Sequence, residues 1–205
     1  IINSLESVGG ELNAYTTKEK ICFYASVLDE HFVKAIDLLT DIAFNSTFPE
    51  KQLELERGVI LEEMSMYLDS PEDAIQDELD NIIFPNHSLG VNILGTQESV
   101  RRFTQKDFFD FIHENFDTER VVLSIVGNIG IKKAIKVAEK YLEDIPFKKS
   151  ERARIKPSNY SKQDIILVKN NNQCQVAIGR PSFSLLDNRR IPFFALVNVL
   201  GGPGL

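Results

Sequence analysis

The spacing of apolar residues switches period within the first 45 positions, from the strand repeat to the helical one. Residues 1–8 read as the end of a helix closed by Gly9-Gly10, a left-handed cap followed by a tight turn. Glu11 to Thr17 reads as a strand. From Lys20 to Val27 the period is two: Ile21, Phe23, Ala25 and Val27 share one face, while Cys22, Tyr24 and Ser26 share the other. Thr17-Lys18-Glu19 is short enough to join the two strands as a hairpin. After Asp29 the period lengthens. Phe32, Ile36, Leu39 and Ile42 recur every three or four residues, one apolar helical stripe reaching about Asn45. The chain therefore mixes a hairpin with helices.

Further along, helices dominate. Pro49 opens a helix that runs to about Leu68, at a position where the missing N–H costs little. Ser70, with Asp73 three residues on, predicts the capped start of another helix ending near Phe84-Pro85. Thr104 and Asp107 repeat that pattern ahead of Phe108, Phe111 and Ile112. Arg120 to Gly127 is a nearly unbroken apolar run and predicts a buried strand. Ile131 to Leu142 is amphipathic at helical spacing. Residues 147–162 turn polar and basic and read as a linker. Beyond them come two expected strands, Asp164–Lys169 and Gln173–Gly179, joined by an Asn-rich turn, and a helix from about Asp187 to Leu200. This hairpin-then-helix order faintly echoes residues 11–45 and hints at a second, related domain.

Composition narrows the class. With 205 residues, 43% hydrophobic and 26% charged, the chain is long enough to bury one good core and part of another domain. No run of about 18 apolar residues exists, so no transmembrane helix is expected. The net charge of −7, from 23 basic and 30 acidic residues, argues against a nucleic-acid partner. Cys22 and Cys174 fit no metal spacing and read as buried free thiols. The Ile-Ile-Asn opening and the glycine-rich close suggest a cut from a longer protein.

One helix invites a chemical reading. In Glu50 to Asp69, EKQLELERGVILEEMSMYLD, Glu56 and Glu63 are seven apart and fall within about 20° of each other around a helix. Ile60 lies between them. A carboxylate on an otherwise apolar stripe is costly unless it is paired or holds a metal; salt-bridged or solvated acids are the plain alternative. His31, His87 and His113 are scattered, and no HExxH, HxxEH, G-x-S-x-G, Walker loop or dinucleotide glycine pattern occurs.

Four strings in order, LESVGGELNAYTTKE (5–19), ERGVILEEMSMYLDSP (56–71), LGTQESVRRFTQKD (94–107) and VVLSIVGNIG (121–130), resemble the pitrilysin/insulinase family of zinc metallopeptidases. The resemblance is nearest to its bacterial processing-protease branch and the mitochondrial processing peptidase. It implies an α+β fold, an antiparallel sheet backed by helices, which fits the mixed order above. It implies residues 1–147 as the latter part of a first, zinc-site domain, 148–162 as a linker, and 163–205 as the start of a homologous second domain. The family is an inverted zincin whose HxxEH helix precedes a later Glu ligand. By match to the ERxVxxEE helix, that ligand falls on Glu63, and the supporting acid on Glu56. The strand GELNAYT resembles the edge that holds an extended peptide by main-chain pairing, making Asn13, Ala14 and Tyr15 the substrate-side candidates. The HxxEH helix is not in this chain, so the resemblance implies a piece of a zinc endopeptidase, inactive alone and not holding zinc tightly. Its implied partners are an extended peptide, the rest of its own chain, and a homo- or hetero-dimeric mate. Two readings stand beside it: a non-catalytic subunit of the same family, and an α+β interaction domain without an active site. Compartment is left open.

Overall fold

A computed structural model of the chain describes residues 3–149, 153–158, 160–169 and 172–201. The fold is α+β: one antiparallel strand pair and a series of helices. The chain divides into two compact units, Ile1–Met66 with Asn92–Lys156, and Tyr67–Val91 with Pro157–Leu205.

The first unit starts with a single helical turn, α1 (Asn3–Glu6), closed as expected by glycine. Gly9 takes φ 73°, and the N–H groups of Gly9 and Gly10 donate to the carbonyls of Glu6 and Leu5 at 2.9 Å. The turn feeds β1 (Glu11–Thr16), which pairs with β2 (Ile21–Ser26) in the register Glu11↔Ser26 to Thr16↔Ile21. The hairpin closes where Thr17 N–H donates to the Lys20 carbonyl at 2.8 Å. A short 3₁₀ turn at Asp29–His31 then leads into α2 (Phe32–Phe44). This helix packs on β2 and buries Phe32, Ala35 and Ile36. Its other neighbour is α7 (Ile131–Leu142), whose bounds match the amphipathic stretch in the sequence. Together with Leu5, fully shielded at 0% exposure, these side chains form the core of the unit.

The 20-residue helix α3 (Glu50–Asp69) begins just after Pro49, as its ring predicts. Two short helices follow later in the first unit, α5 (Gln97–Arg102) and α6 (Gln105–Asn115). Thr96 and Ser99 cap α5. At α6 the Thr104 N–H and hydroxyl both donate to the Asp107 carboxylate, at 2.7 and 2.6 Å. That carboxyl is held below its ordinary value chiefly by the Thr104 hydroxyl, then by the Thr104 N–H. Phe48, at φ 45°, stacks on Phe108 with centroids 5.1 Å apart and meets Phe109 edge-on at 5.6 Å. The Phe48 and Phe108 rings, with Ile21 and Phe23, line an apolar hollow of about 400 Å³.

The second unit holds α4 (Pro71–Ile83), a 3₁₀ turn at Ser88–Gly90 packed on it, and α8 (Arg190–Gly201). Ser70 occupies the N-cap position of α4 with extended backbone, but its hydroxyl makes no capping bond; only its carbonyl accepts, from Ala74 N–H at 3.0 Å.

Three expectations need correction. Residues 121–126 are not a buried strand: they run without a ladder, with Val122 86% and Val126 96% exposed. Residues 164–169 and 173–179 likewise form no strand, and Ile166 and Ile178 stand open to solvent; Asn170 and Asn171 of the expected turn lie outside the described residues. The physical reason is shared. A strand exists only through a neighbour's N–H and C=O groups, and among the described residues the sole ladder is β1 with β2. Cys174 is exposed rather than buried, for the same lack of a covering layer, while Cys22 is half-buried.

Candidate functional site

The candidate residues lie on two elements of the first unit. On α3 the inward side consists of Leu53, Arg57, Ile60 and Leu61, all half-buried, and Met64 at 6% exposure. These positions repeat at three and four, the helical period. Glu56 and Glu63 flank that stripe on one margin. They are separated by two turns, about 10 Å along the axis at 1.5 Å per residue. Both are exposed, and neither makes an ion pair or hydrogen bond among the described residues. The seven-residue spacing thus places them side by side as read. The cost of burial that made them suspect is absent, because the stripe turns them outward.

The second element is β1. Asn13, Ala14 and Tyr15 pair across to Tyr24, Phe23 and Cys22. Thr17 N–H donates to the Lys20 carbonyl, so alternation along an antiparallel pair puts Ala14 at a position whose N–H points away from β2. It does so, meeting the Asn13 Oδ1 at 2.8 Å. β1 therefore has an edge without a strand partner among the described residues, and Asn13 itself occupies the donor of Ala14 there. Tyr15 lies 6.3 Å from the Tyr24 ring, with the Lys20 ammonium 5.2 Å over its face. Tyr15 beside it holds that ammonium above its ordinary value.

The structure groups Asn13, Ala14 and Tyr15 on one strand and Glu56 and Glu63 on one helix; no hydrogen bond or ion pair links the two sets. Among the described residues no three His, Cys, Asp or Glu side chains come together to hold a metal. Zinc in a catalytic site takes three protein ligands and keeps a fourth position open. An exposed carboxylate on a well-held helix fits the part of one such ligand and no more. His31 and His87 make local contacts, His31 with Glu30 at 3.5 Å and His87 as acceptor from Leu89 N–H at 3.1 Å.

One residue of this site escaped the sequence reading. The Arg57 side chain is only 17% exposed. It donates to the carbonyls of Val100 and Phe103 and pairs with Glu54. A cation among Leu53, Ile60, Leu61 and Met64 was the available signal.

Comparison with known proteins identifies the family. The family described as "Insulinase (Peptidase family M16)" matches residues 1–97, and "Peptidase M16 inactive domain" matches residues 102–204. "Uncharacterized zinc protease YmxG" of Bacillus subtilis is 37% identical over 202 residues, 98% of this chain and 49% of its own. An "Uncharacterized zinc protease" of Rickettsia bellii is 30% identical over all of this chain and 49% of its own. The chain thus spans about half the length of these curated relatives. A crystal structure of a protease from Helicobacter pylori overlays 76% of this chain and 38% of its own, with TM-score 0.66 at 20% identity, a likeness of fold. Two abutting profiles, relatives matched end to end across this chain, and a shared fold lead to one assignment: the chain belongs to the insulinase family of peptidases, M16.

Proposed function

We propose that this chain is part of a zinc-dependent endopeptidase that cleaves extended peptides. In this reading Glu63 is one zinc ligand, Glu56 supports it from two turns earlier, and β1 carries the substrate-side residues Asn13, Ala14 and Tyr15, an incoming strand taking the Ala14 N–H from Asn13 Oδ1. Zinc, when bound, would polarise the scissile carbonyl and activate water. The chain contributes the carboxylate, the helix that carries it and the pairing edge; the remaining ligands and the general base are not among its residues. Residues 1–147 would then complete a first domain, 148–162 would link, and 163–205 would open a second. A dimeric or two-part chamber closing on the peptide is part of the same proposal.

The observation that carries it is the placement of Glu56 and Glu63 on one face of α3 two turns apart, solvent-facing and, among the described residues, unpaired. The test is Glu63→Gln in the full-length protein, with metal content and peptide hydrolysis measured together. Loss of zinc and of turnover is expected. Retention of both would return Glu63 to an ordinary surface acid; absence of both before any mutation would favour the interaction-domain reading. A second reading, a non-catalytic subunit, is favoured by the "inactive domain" profile over residues 102–204. It predicts a full-length protein that holds no zinc before any mutation.

A further inference from the structure

We propose that Arg57 is a positioning residue that fixes the rotation of α3, and with it the direction in which Glu56 and Glu63 face; the inference rests on the function proposed above. The need for such a device follows from burial. Met64 is the one buried residue of α3, and the rest of the inward stripe is only half-buried. Half-buried aliphatic contacts are non-directional and define a helix's rotation poorly. Each residue of a helix is about 100° around from the last, so a modest roll would swing both acids away.

Arg57 supplies a directional contact. Its Nη1 donates to the Val100 carbonyl and its Nη2 to the Phe103 carbonyl at 2.8 Å. Nη2 and Nε also reach the Glu54 carboxylate, at 3.0 and 3.3 Å. These carbonyls are free for a reason written in the chain. α5 stops at Arg102, and Phe103 N–H closes its last turn on Ser99 at 3.2 Å. Were the helix to continue, Thr104 N–H would bond the Val100 carbonyl. Instead that N–H goes to the Asp107 carboxylate to begin α6. The Val100 carbonyl, on a residue 7% exposed, is left without a backbone donor and would be costly unpaired. A planar guanidinium can serve two carbonyls and a carboxylate at once, and an ammonium cannot hold that geometry. Arg57 thus ties the helix bearing the acids to the break between α5 and α6.

The test uses the full-length protein in four forms: unaltered, Arg57→Lys, Arg57→Gln and Glu63→Gln. Zinc affinity is measured by chelator competition at a temperature where circular dichroism shows each form folded, and kcat and KM are separated on a peptide substrate. Arg57→Lys should weaken zinc about tenfold, the lower end of what loss of a ligand's supporting partner costs. It should lower kcat while leaving KM within twofold, because β1 is untouched. Arg57→Gln should weaken zinc further. Arg57→Lys holding zinc within twofold, while Glu63→Gln loses it, overturns the positioning role and leaves the zinc reading intact. Glu63→Gln holding zinc overturns both. Should Arg57→Gln fail to fold, Arg57→Lys alone decides.

Discussion

Gly9 and Gly10 stand side by side for different physical reasons, and substitution separates them. A Cβ on Gly10 would lie 2.8 Å from Val27 Cγ1, 3.1 Å from the Leu5 carbonyl oxygen and 3.2 Å from that of Ser26. The valine can rotate away; the two carbonyls are backbone. Leu5 is fully buried, and its carbonyl also accepts the Gly10 N–H at 2.9 Å, so it cannot retreat without stretching that bond. Overpacking of this kind costs about 1–3 kcal/mol. Gly9 has open space around its missing Cβ, but its φ is 73°. Alanine there costs roughly 1–2 kcal/mol of backbone strain, and asparagine, which tolerates the left-handed region, costs less. In urea denaturation followed by circular dichroism, a 2 kcal/mol loss moves the midpoint by roughly 1 M. Gly9→Asn should therefore recover part of the loss seen for Gly9→Ala, whereas Gly10→Asn should be no better than Gly10→Ala. If asparagine rescues position 10 as it does position 9, the steric argument is wrong and Gly10 is conformational too. Under the function proposed above the stake reaches the site, because the register of β1 starts at Glu11, the next residue, and sets where Asn13, Ala14 and Tyr15 lie.

Other expectations follow from single contacts. Gly58 is exposed inside α3 with nothing within 4 Å of an added Cβ, so Gly58→Ala should stabilise by about 0.5–1 kcal/mol in the same denaturation assay. Met64→Ala should cost about 2–4 kcal/mol by removing the most buried side chain of α3, and calorimetry should show it. The Asp187 carboxyl is lowered to about 2 by the Arg189 guanidinium first and its backbone N–H second. Its folded value is depressed, so whatever stability it lends is present above about 3.8 and lost as pH falls through about 2. Arg189→Gln should raise the Asp187 pKa in an NMR titration; an unmoved value would remove the guanidinium as the cause.

Elements whose partners are near in sequence were legible, and those needing a distant partner were not. The hairpin and α7 depend on local period and local turns, so reading and structure coincide from Thr17 to Lys20 and from Ile131 to Leu142. Residues 121–126 carry the composition of a buried strand, but composition cannot supply the neighbour that a strand must bond. The three later apolar runs fail together because they share that requirement. Ser70 failed differently. Its position was right, and Pro71 opens the helix as its ring allows, but the hydroxyl makes no capping bond.

The site divides along a similar line. Seven residues of helix put Glu56 beside Glu63 whatever the helix packs on, so the sequence alone could pair them. It could not say how deep they sit, since depth depends on the rotation of α3. That rotation is tied to Arg57, whose acceptors are backbone carbonyls with no side-chain signature. A signal was nevertheless present. Thr104 and Asp107 announce a capped start directly after the LGTQESVRRF stretch, and a cap that takes the Thr104 N–H must orphan the carbonyl four residues back. An orphaned carbonyl on an apolar residue needs a donor from elsewhere. In residues 50–64 the one cation on the inward stripe is Arg57. Reading each cap for the carbonyl it leaves behind, and then asking which arginine lies on an apolar face, would have found the contact without coordinates.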